Sequence, residues 1–477
     1  MGKEKLVGKI VMSGKLTVES PLLIGAGQED YLADNDRDIH VLRVADSKKR
    51  NAETEHLKYV IPGTSLAGVL RDLVARQSKE LTAELFGELS FMQSSLEVSD
   101  IVLENAKLTY RDGVSIDENL GSAIDGAKYD YEAIERGAWG ELRLVITIKG
   151  IHTANPGKWQ SAELRPEVLN AVYYLKDCLE EGISLGAMTA KGLGRVRVKN
   201  LQAGLYDFAD SKDVAAWLSQ EVPEAGKAGR LLQDKSSWRT SNLGLTVEAE
   251  FALQSSLIVR DYGSGTKTEK GKKVVFSLKS GGDYVIPGTS IKGVLRHQAA
   301  YILDLLGDRK DMLESLMGTA EAKSKTKETE GRIKSRFYVD EAYIVSGKKG
   351  AVAEAEVTRN RIDRFTGGTI ESALFTEMPL WQKDERIPTV RLRFSVREAD
   401  EKEAGLALFL LKDLWQGKVA LGGEAGVGRG TLKGLQAKIN YRGQEYELDK
   451  EGQVVSGQPE ELEKLAAAFA SYAKGEV

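Results

Sequence analysis

From Val7 to Ile24 apolar residues recur at strand spacing, at Val7, Ile10, Met12, Leu16, Val18, Leu22 and Ile24. Gly25-Ala26-Gly27 ends the run, and a polar, acid-rich stretch from Gln28 to Asp38 follows. Short strands are predicted at His40–Val44 and Tyr59–Ile61. Pro62-Gly63 then turns the chain, and Thr64 or Ser65 is placed to cap a helix carrying Leu66, Val69, Leu70, Leu73 and Val74. Leu142–Ile148 and Arg195–Lys199 read as strands, with a helix over Pro166–Glu181 between them. The second half repeats the sequence of elements. Leu245–Val259 is strand-like, Tyr284–Ile286 leads into a turn, and helices are predicted over Ser290–Leu306 and Lys402–Gly417. Strands fall at Thr389–Val396 and Thr431–Ile439, and a last helix at 458–473. Strand–helix–strand–strand–helix–strand is the order of a ferredoxin-like α+β domain.

The halves also share words. Ile61-Pro-Gly-Thr-Ser-Leu-Ala-Gly-Val-Leu-Arg71 returns as Ile286-Pro-Gly-Thr-Ser-Ile-Lys-Gly-Val-Leu-Arg296, 225 residues later. Thr189-Ala-Lys-Gly-Leu-Gly-Arg195 pairs with Gly423-Glu-Ala-Gly-Val-Gly-Arg429 at an offset of 234, and Ser115-Ile-Asp117 pairs loosely with Arg361-Ile-Asp363 at 246. Three words in one order imply a duplicated domain, with insertions in loops. The predicted division is domain one over 1–205, a connection over 206–243 and domain two over 244–477.

Composition narrows the chemistry. Hydrophobic content of 42% and charged content of 29% fit a globular chain, and no apolar run reaches the ~18 residues of a membrane span. Cys178 is the only cysteine, which excludes an internal disulfide and a cysteine zinc cluster, and makes an intracellular, cytoplasmic location the natural reading. His40, His56, His152 and His297 show no metal-ligand spacing. A net charge of −4 argues against a uniformly basic surface, but Val259–Lys279 holds six Lys/Arg against two Asp/Glu.

Two motifs suit anions. The stretches Gly186–Arg195 and Leu421–Gly430 are rich in glycine, so bare backbone amides beside Lys191, Arg195 and Arg429 are candidates for phosphate. A Gly-rich hairpin is the plain alternative; neither is a nucleotide P-loop, since no Gly-Lys-Ser/Thr ending precedes a helix. The Pro-Gly-Thr-Ser turns either cap their helices or present a helix N-terminus to an anion, with Arg71 and Arg296 further along.

The residues Leu23-Ile-Gly-Ala-Gly27, the Ile61-Pro-Gly-Thr-Ser65 turn with Gly68 and Arg71, and the glycine-rich loop of each copy resemble the RAMP superfamily. Within it they look like the Cas-seven-type backbone subunits of type III CRISPR effector complexes. In copy two Asn360–Gly368 with Ala373-Leu-Phe375, and in copy one Ser115-Ile-Asp117 through Lys128–Glu132, look like further segments of such subunits, and a fused pair is similar to the double-backbone subunit of type III-D-like complexes. The resemblance implies two tandem RRM-like domains with inserted loops and β-hairpin thumbs. It implies CRISPR guide RNA and target RNA as partners, together with a large polymerase-like subunit, other RAMP backbone subunits and a small subunit. The implied RNA-binding set is Thr64, Ser65, Arg71, Lys191 and Arg195 in copy one, and Thr289, Ser290, Lys292, Arg296, Arg361, Arg364, Phe365 and Arg429 in copy two.

Backbone subunits of this kind cut paired target RNA with an aspartate and a divalent metal. Asp38, before Ile39-His40-Val41, fits the implied catalytic and metal-binding position, with Asp36 and Asp34 as alternatives and Mg²⁺ or Mn²⁺ as the ion. Four aspartates in nine residues, Asp30 to Asp38, also suit a solvated acidic loop. The matching loop of copy two, Asp261–Lys279, has no aspartate after Asp261, so one cutting site at most is expected. The alternatives are a non-catalytic guide scaffold and a metal-independent, Cas-six-like processing RNase, for which His40 and His297 are the only histidines near motifs. Phe365 is read either as a base-stacking aromatic or as a core residue beside Ile362 and Leu374.

Overall fold

The computed structural model of the 477-residue chain describes residues 5–26, 38–45, 57–88, 93–116, 123–150, 165–220, 229–238, 244–261, 267–269, 272–307, 310–319, 333–344, 350–371, 373–384 and 386–474. It is a mixed α/β chain of two compact units. Unit one holds 1–109, 132–187 and 194–239; unit two holds 110–131, 188–193 and 240–477. The division does not follow the repeat alone: a hairpin and a short loop of the first repeat belong to unit two.

In the first repeat, strands β1 (Lys5–Val18), β2 (Leu96–Val98), β3 (Trp139–Gly150) and β4 (Arg195–Asp207) form a sheet ordered β4-β1-β3-β2. Helices α1 (Gly63–Ala75) and α2 (Pro166–Glu181) follow β1 and β3. Inward residues of β1 (Ile10, Met12, Leu16) are fully buried. So are Leu66, Leu70 and Val74, one stripe of α1 at four-residue spacing. The predicted connection, from 206 onward, is packed into unit one where it is described: Tyr206 and Ala216 are buried, and Trp217 meets the Tyr206 ring edge-on.

In the second repeat β5 (Gly244–Leu253), β6 (Phe337–Val339), β7 (Val390–Arg397) and β8 (Leu432–Tyr441) are ordered β6-β7-β5-β8, the same arrangement seen from the other edge. Helices α3 (Gly288–Leu306) and α4 (Glu401–Trp415) follow β5 and β7. One core gathers Phe251 of β5, Leu295 of α3, Phe394 of β7 and Leu410 of α4. Asp400 and Glu403 form a reciprocal capping box at the start of α4. The terminal helix spans Pro459–Lys474.

Each repeat also carries an extra hairpin. The first pairs Leu108–Ile116 with Ala123–Ile134, and the second pairs Val357–Arg359 with Phe375–Met378. The second belongs to a four-stranded sheet with Lys267–Glu269 and Lys272–Phe276.

Candidate functional site

Strand pairing fixes how the two repeats correspond. Leu22 bridges Ile134 as Leu257 bridges Leu380, and Gly25 bridges Val41 as Arg260 bridges Ser277. Ser184 pairs with Arg195 as Ala420 bridges Thr431. Gly186, Gly192 and Gly194 therefore match Gly422, Gly428 and Gly430 at an offset of 236, each at positive φ. A Cβ on Gly194 would lie 1.9 Å from the Leu185 carbonyl oxygen, and one on Gly430 1.9 Å from that of Leu421. These glycines permit close backbone contact at a left-handed conformation that other residues resist.

The offset of 236 corrects the sequence alignment of 234. Arg195 begins β4 and matches Thr431; Arg429 matches Leu193, which is buried. The amides are also largely engaged internally. Ala187 N–H donates to Leu23 O and Gly194 N–H to Pro21 O, as Gly423 donates to Ile258 and Gly430 to Ser256. The expected rows of outward amides are thus held within the loops. Arg195 lies 3.4 Å from Glu19 and donates to Glu181 O.

Both Pro-Gly-Thr-Ser turns begin their helices at glycine after an N-cap proline, so no Thr or Ser side chain caps them. Thr64, Ser65, Thr289 and Ser290 lie inside the first turn, and a different residue closes the first helix end. Gly63 N–H donates to Asp100 Oδ1 at 2.7 Å, placing a carboxylate where an external anion would sit. Strand pairing matches Asp100 to Glu341, whose carboxylate accepts instead from Tyr343 Oη at 2.7 Å. At the second end, Lys292 replaces Ala67 and is buried, donating to Ser335 Oγ at 2.6 Å and Phe337 O at 2.9 Å. Burial, then the charges of Lys191 and Arg296, lower its ammonium pKa to about 7. Arg296 donates to Gly318 O. Arg71 is exposed.

Beside the second glycine loop, three guanidinium groups meet two carboxylates. Glu377, 1% exposed, accepts from Arg260 at 2.7 Å, from Arg429 at 3.2 Å and from Arg359. Glu424 binds the same three arginines. Hydrogen bonds from Arg260 and Arg359 hold the Glu377 carboxyl below its usual range against the opposing effect of burial. Arg429 is therefore a buried member of an ion cluster. The matching positions of the first repeat are Gly25 for Arg260, Met188 for Glu424, Leu193 for Arg429 and, by the 246 offset of Ile134 and Leu380, Tyr131 for Glu377; none is charged.

Arg361, Arg364 and Phe365 lie together on the tip of the second hairpin. Ile362 bridges Thr369, and Asp363 Oδ1 accepts from Phe365 N–H, Thr366 N–H and Thr366 Oγ1, which lowers the Asp363 pKa. Phe365 is 100% exposed, which overturns its core alternative.

In the first repeat Asp38 is exposed beside the Ile39–Val41 segment. Beneath it, buried Glu132 accepts from Arg43 and from Val41 N–H, with His40 Nδ1 3.5 Å away. Asp34 and Asp36 lie outside the described residues. Among the described residues no three His, Cys, Asp or Glu side chains converge as a metal site requires.

The sequence profile of the RAMP superfamily matches residues 15–197 and again 251–433. Start and end are both displaced by 236, the offset fixed by the glycines. The chain belongs to the RAMP superfamily. No curated protein matches it. RAMP proteins typically work in CRISPR complexes with RNA and other subunits, and membership supports an RNA-binding, CRISPR-associated role for this chain. No helix among the described residues is long and apolar enough to cross a membrane.

The residues missed in the sequence are Glu132, Glu377, Arg260 and Arg359. A glutamate inside an otherwise strand-like run, as in Phe375-Thr-Glu-Met378, was the available signal, since a buried carboxylate demands cationic partners.

Proposed function

We propose that this RAMP protein is a guide-RNA-binding backbone subunit of a type III CRISPR effector complex. The superfamily match carries the reading, because it recurs twice at one offset over most of the chain. A tandem subunit would supply two adjacent RNA-binding domains. The strand orders β4-β1-β3-β2 in the first repeat and β8-β5-β7-β6 in the second support a ferredoxin-like, RRM-like core in each. The RNA-facing residues assigned here are Arg361, Arg364 and Phe365 on the second hairpin and Lys191 and Arg296 around the start of α3. Their chemistry is phosphate pairing by cations and stacking by one uncovered aromatic ring. Guide RNA, target RNA and the other effector subunits are the proposed partners.

Cleavage of guide-paired target RNA is assigned to Asp38. Its exposure, on a segment anchored by Glu132, places a carboxylate at the surface where it can orient a 2′-hydroxyl against the neighbouring phosphate. A divalent ion would stabilise charge developing on that phosphate. The described residues offer Asp38 alone from this loop, so no step is routed through the ion.

Sequencing the RNA that copurifies with the chain from its native cells tests the binding role; CRISPR-repeat-derived guides are expected, and a folded chain carrying no RNA contradicts it. Incubating the reconstituted complex with complementary RNA, with and without EDTA, tests cleavage. Asp38→Ala should remove a cut and leave guide binding intact; unchanged cutting contradicts the Asp38 assignment.

A further inference from the structure

One short segment is held differently in the two repeats. Val41 matches Ser277 at the offset of 236, and Glu132 matches Met378 at that of 246. In the second repeat the stretch before Ser277 is the strand Lys272–Phe276. It pairs in parallel with Phe375–Met378, Phe276 opposite Met378. In the first repeat Glu132 takes that role with its backbone and its side chain together. Its N–H donates to Ile39 O at 3.0 Å, and its carboxylate accepts from Val41 N–H at 3.3 Å. The same carboxylate pairs with Arg43 and lies 3.5 Å from His40 Nδ1. On the other side of the segment Ala26 N–H donates to His40 O, and Leu42 N–H to Ile24 O. Asp38 is the exposed residue at the start of this doubly gripped stretch.

Glu132 is fully buried, and a buried carboxylate is costly unless donors and a cation surround it. Met378 shows that the matched position can be filled without charge. What the carboxylate adds is a fixed acceptor for Val41 N–H, where the second repeat has a run of strand pairs. A reacting group held loosely is a poor one: displacement by about 1 Å costs on the order of a hundredfold in rate.

We propose that Glu132 is the positioning residue of the cleavage site, and that by holding Ile39–Val41 it sets where the Asp38 carboxylate meets the RNA. Arg43 holds Glu132 in turn. The inference rests on the assignment of cleavage to Asp38 and names the group that aligns it.

The test is single-turnover cutting of guide-paired RNA by the reconstituted complex at saturating target, measured beside guide affinity, target affinity and melting temperature. Asp38→Ala is the reference. Glu132→Gln keeps the shape of the side chain and removes its charge. It should slow the cut that Asp38→Ala loses by about tenfold to a hundredfold and leave both affinities unchanged. A purely structural role would lower the melting temperature and the active fraction but not the rate per folded complex. A folded Glu132→Gln complex that cuts at the wild-type rate overturns the proposal. If Glu132→Gln does not fold, Glu132→Met with Arg43→Met removes both charges and installs the methionine of the second repeat. The same slow cut at unchanged affinity is expected, and a wild-type rate overturns the proposal. Failure of both variants to fold also overturns it, since Glu132 would then serve folding alone. Wild type that makes no cut, or Asp38→Ala that keeps every cut, removes the cleavage reading itself, a result separate from the outcome at Glu132.

Discussion

Four matched positions carry opposite materials in the two repeats. The first repeat has Gly25, Met188, Leu193 and Tyr131, and the second has Arg260, Glu424, Arg429 and Glu377, which meet in one ion cluster. The backbone is conserved within the chain: Met188 and Glu424 are both left-handed, Gly186 and Gly422 approach the carbonyls of Leu23 and Ile258, and Gly194 and Gly430 those of Leu185 and Leu421. Apolar side chains there need only to fill space. A buried ion cluster adds little net stability over a well-packed apolar isostere, but it is intolerant of losing one member. It also fixes charged groups in place, which a packed leucine does not do. The difference teaches that one fold position can be kept for packing in one copy and converted to chemistry in the other.

Removing one member should have the largest effect. Glu377→Ala leaves three guanidinium groups against Glu424 alone and should destabilise unit two by about 3–5 kcal/mol. Installing the first repeat's residues together, Arg260→Gly, Glu377→Tyr, Glu424→Met and Arg429→Leu, should lose clearly less than Glu377→Ala. Thermal or denaturant unfolding reads both, and a quadruple variant worse than the single one breaks the comparison.

The helix ends give the next contrast. Asp100→Ala removes the carboxylate from Gly63 N–H and should cost about 0.5–2 kcal/mol. Glu341→Ala removes the acceptor of the Tyr343 hydroxyl and should loosen the start of α3 less than Asp100→Ala loosens that of α1. Hydrogen exchange at the two helix starts would distinguish them, and equal loosening in both variants would contradict the assigned cap.

Lys292 makes the same end sensitive to pH. Its folded pKa, about 7, lies below the ordinary lysine value of 10.5, so between those values the unfolded chain binds more protons. The penalty for burying the ammonium is full below about 7 and is relieved as pH rises toward 10.5. Lys292→Met should therefore abolish part of the rise in stability over that window. Parallel stability–pH curves for variant and wild type would show that Lys292 does not titrate there.

Much of this architecture is legible in the sequence, and the failures have physical causes. The helix predicted over Pro166–Glu181 is observed with those limits, because a proline start, a regular apolar stripe and Gly182 after it all agree. The glycine-loop register slipped by two residues because Gly192-Leu-Gly194-Arg195 and Gly426-Val-Gly428-Arg429-Gly430 are self-similar at that step. Only strand pairing decides between the matches, and it places Arg429 against Leu193. The ion cluster was illegible for another reason: Glu377 takes partners from 18, 52 and 117 residues away. Nor could periodicity show that Tyr110–Tyr131 belongs to the second compact unit.

Phe365 carries the smallest expected effect on stability and the most direct test of function. Fully exposed on a loop ordered by Asp363, its replacement by alanine should leave the melting temperature unchanged and weaken RNA binding by up to about 1–3 kcal/mol, the contribution of one stacked base. The decisive measurement is ultraviolet crosslinking of single-stranded RNA to the full chain, with the modified peptides identified by mass spectrometry. Crosslinks at Phe365 and Phe375 are predicted, lost at the first position in Phe365→Ala. Absence of crosslinks from the Val357–Met378 region in a folded, RNA-bound chain would contradict the account.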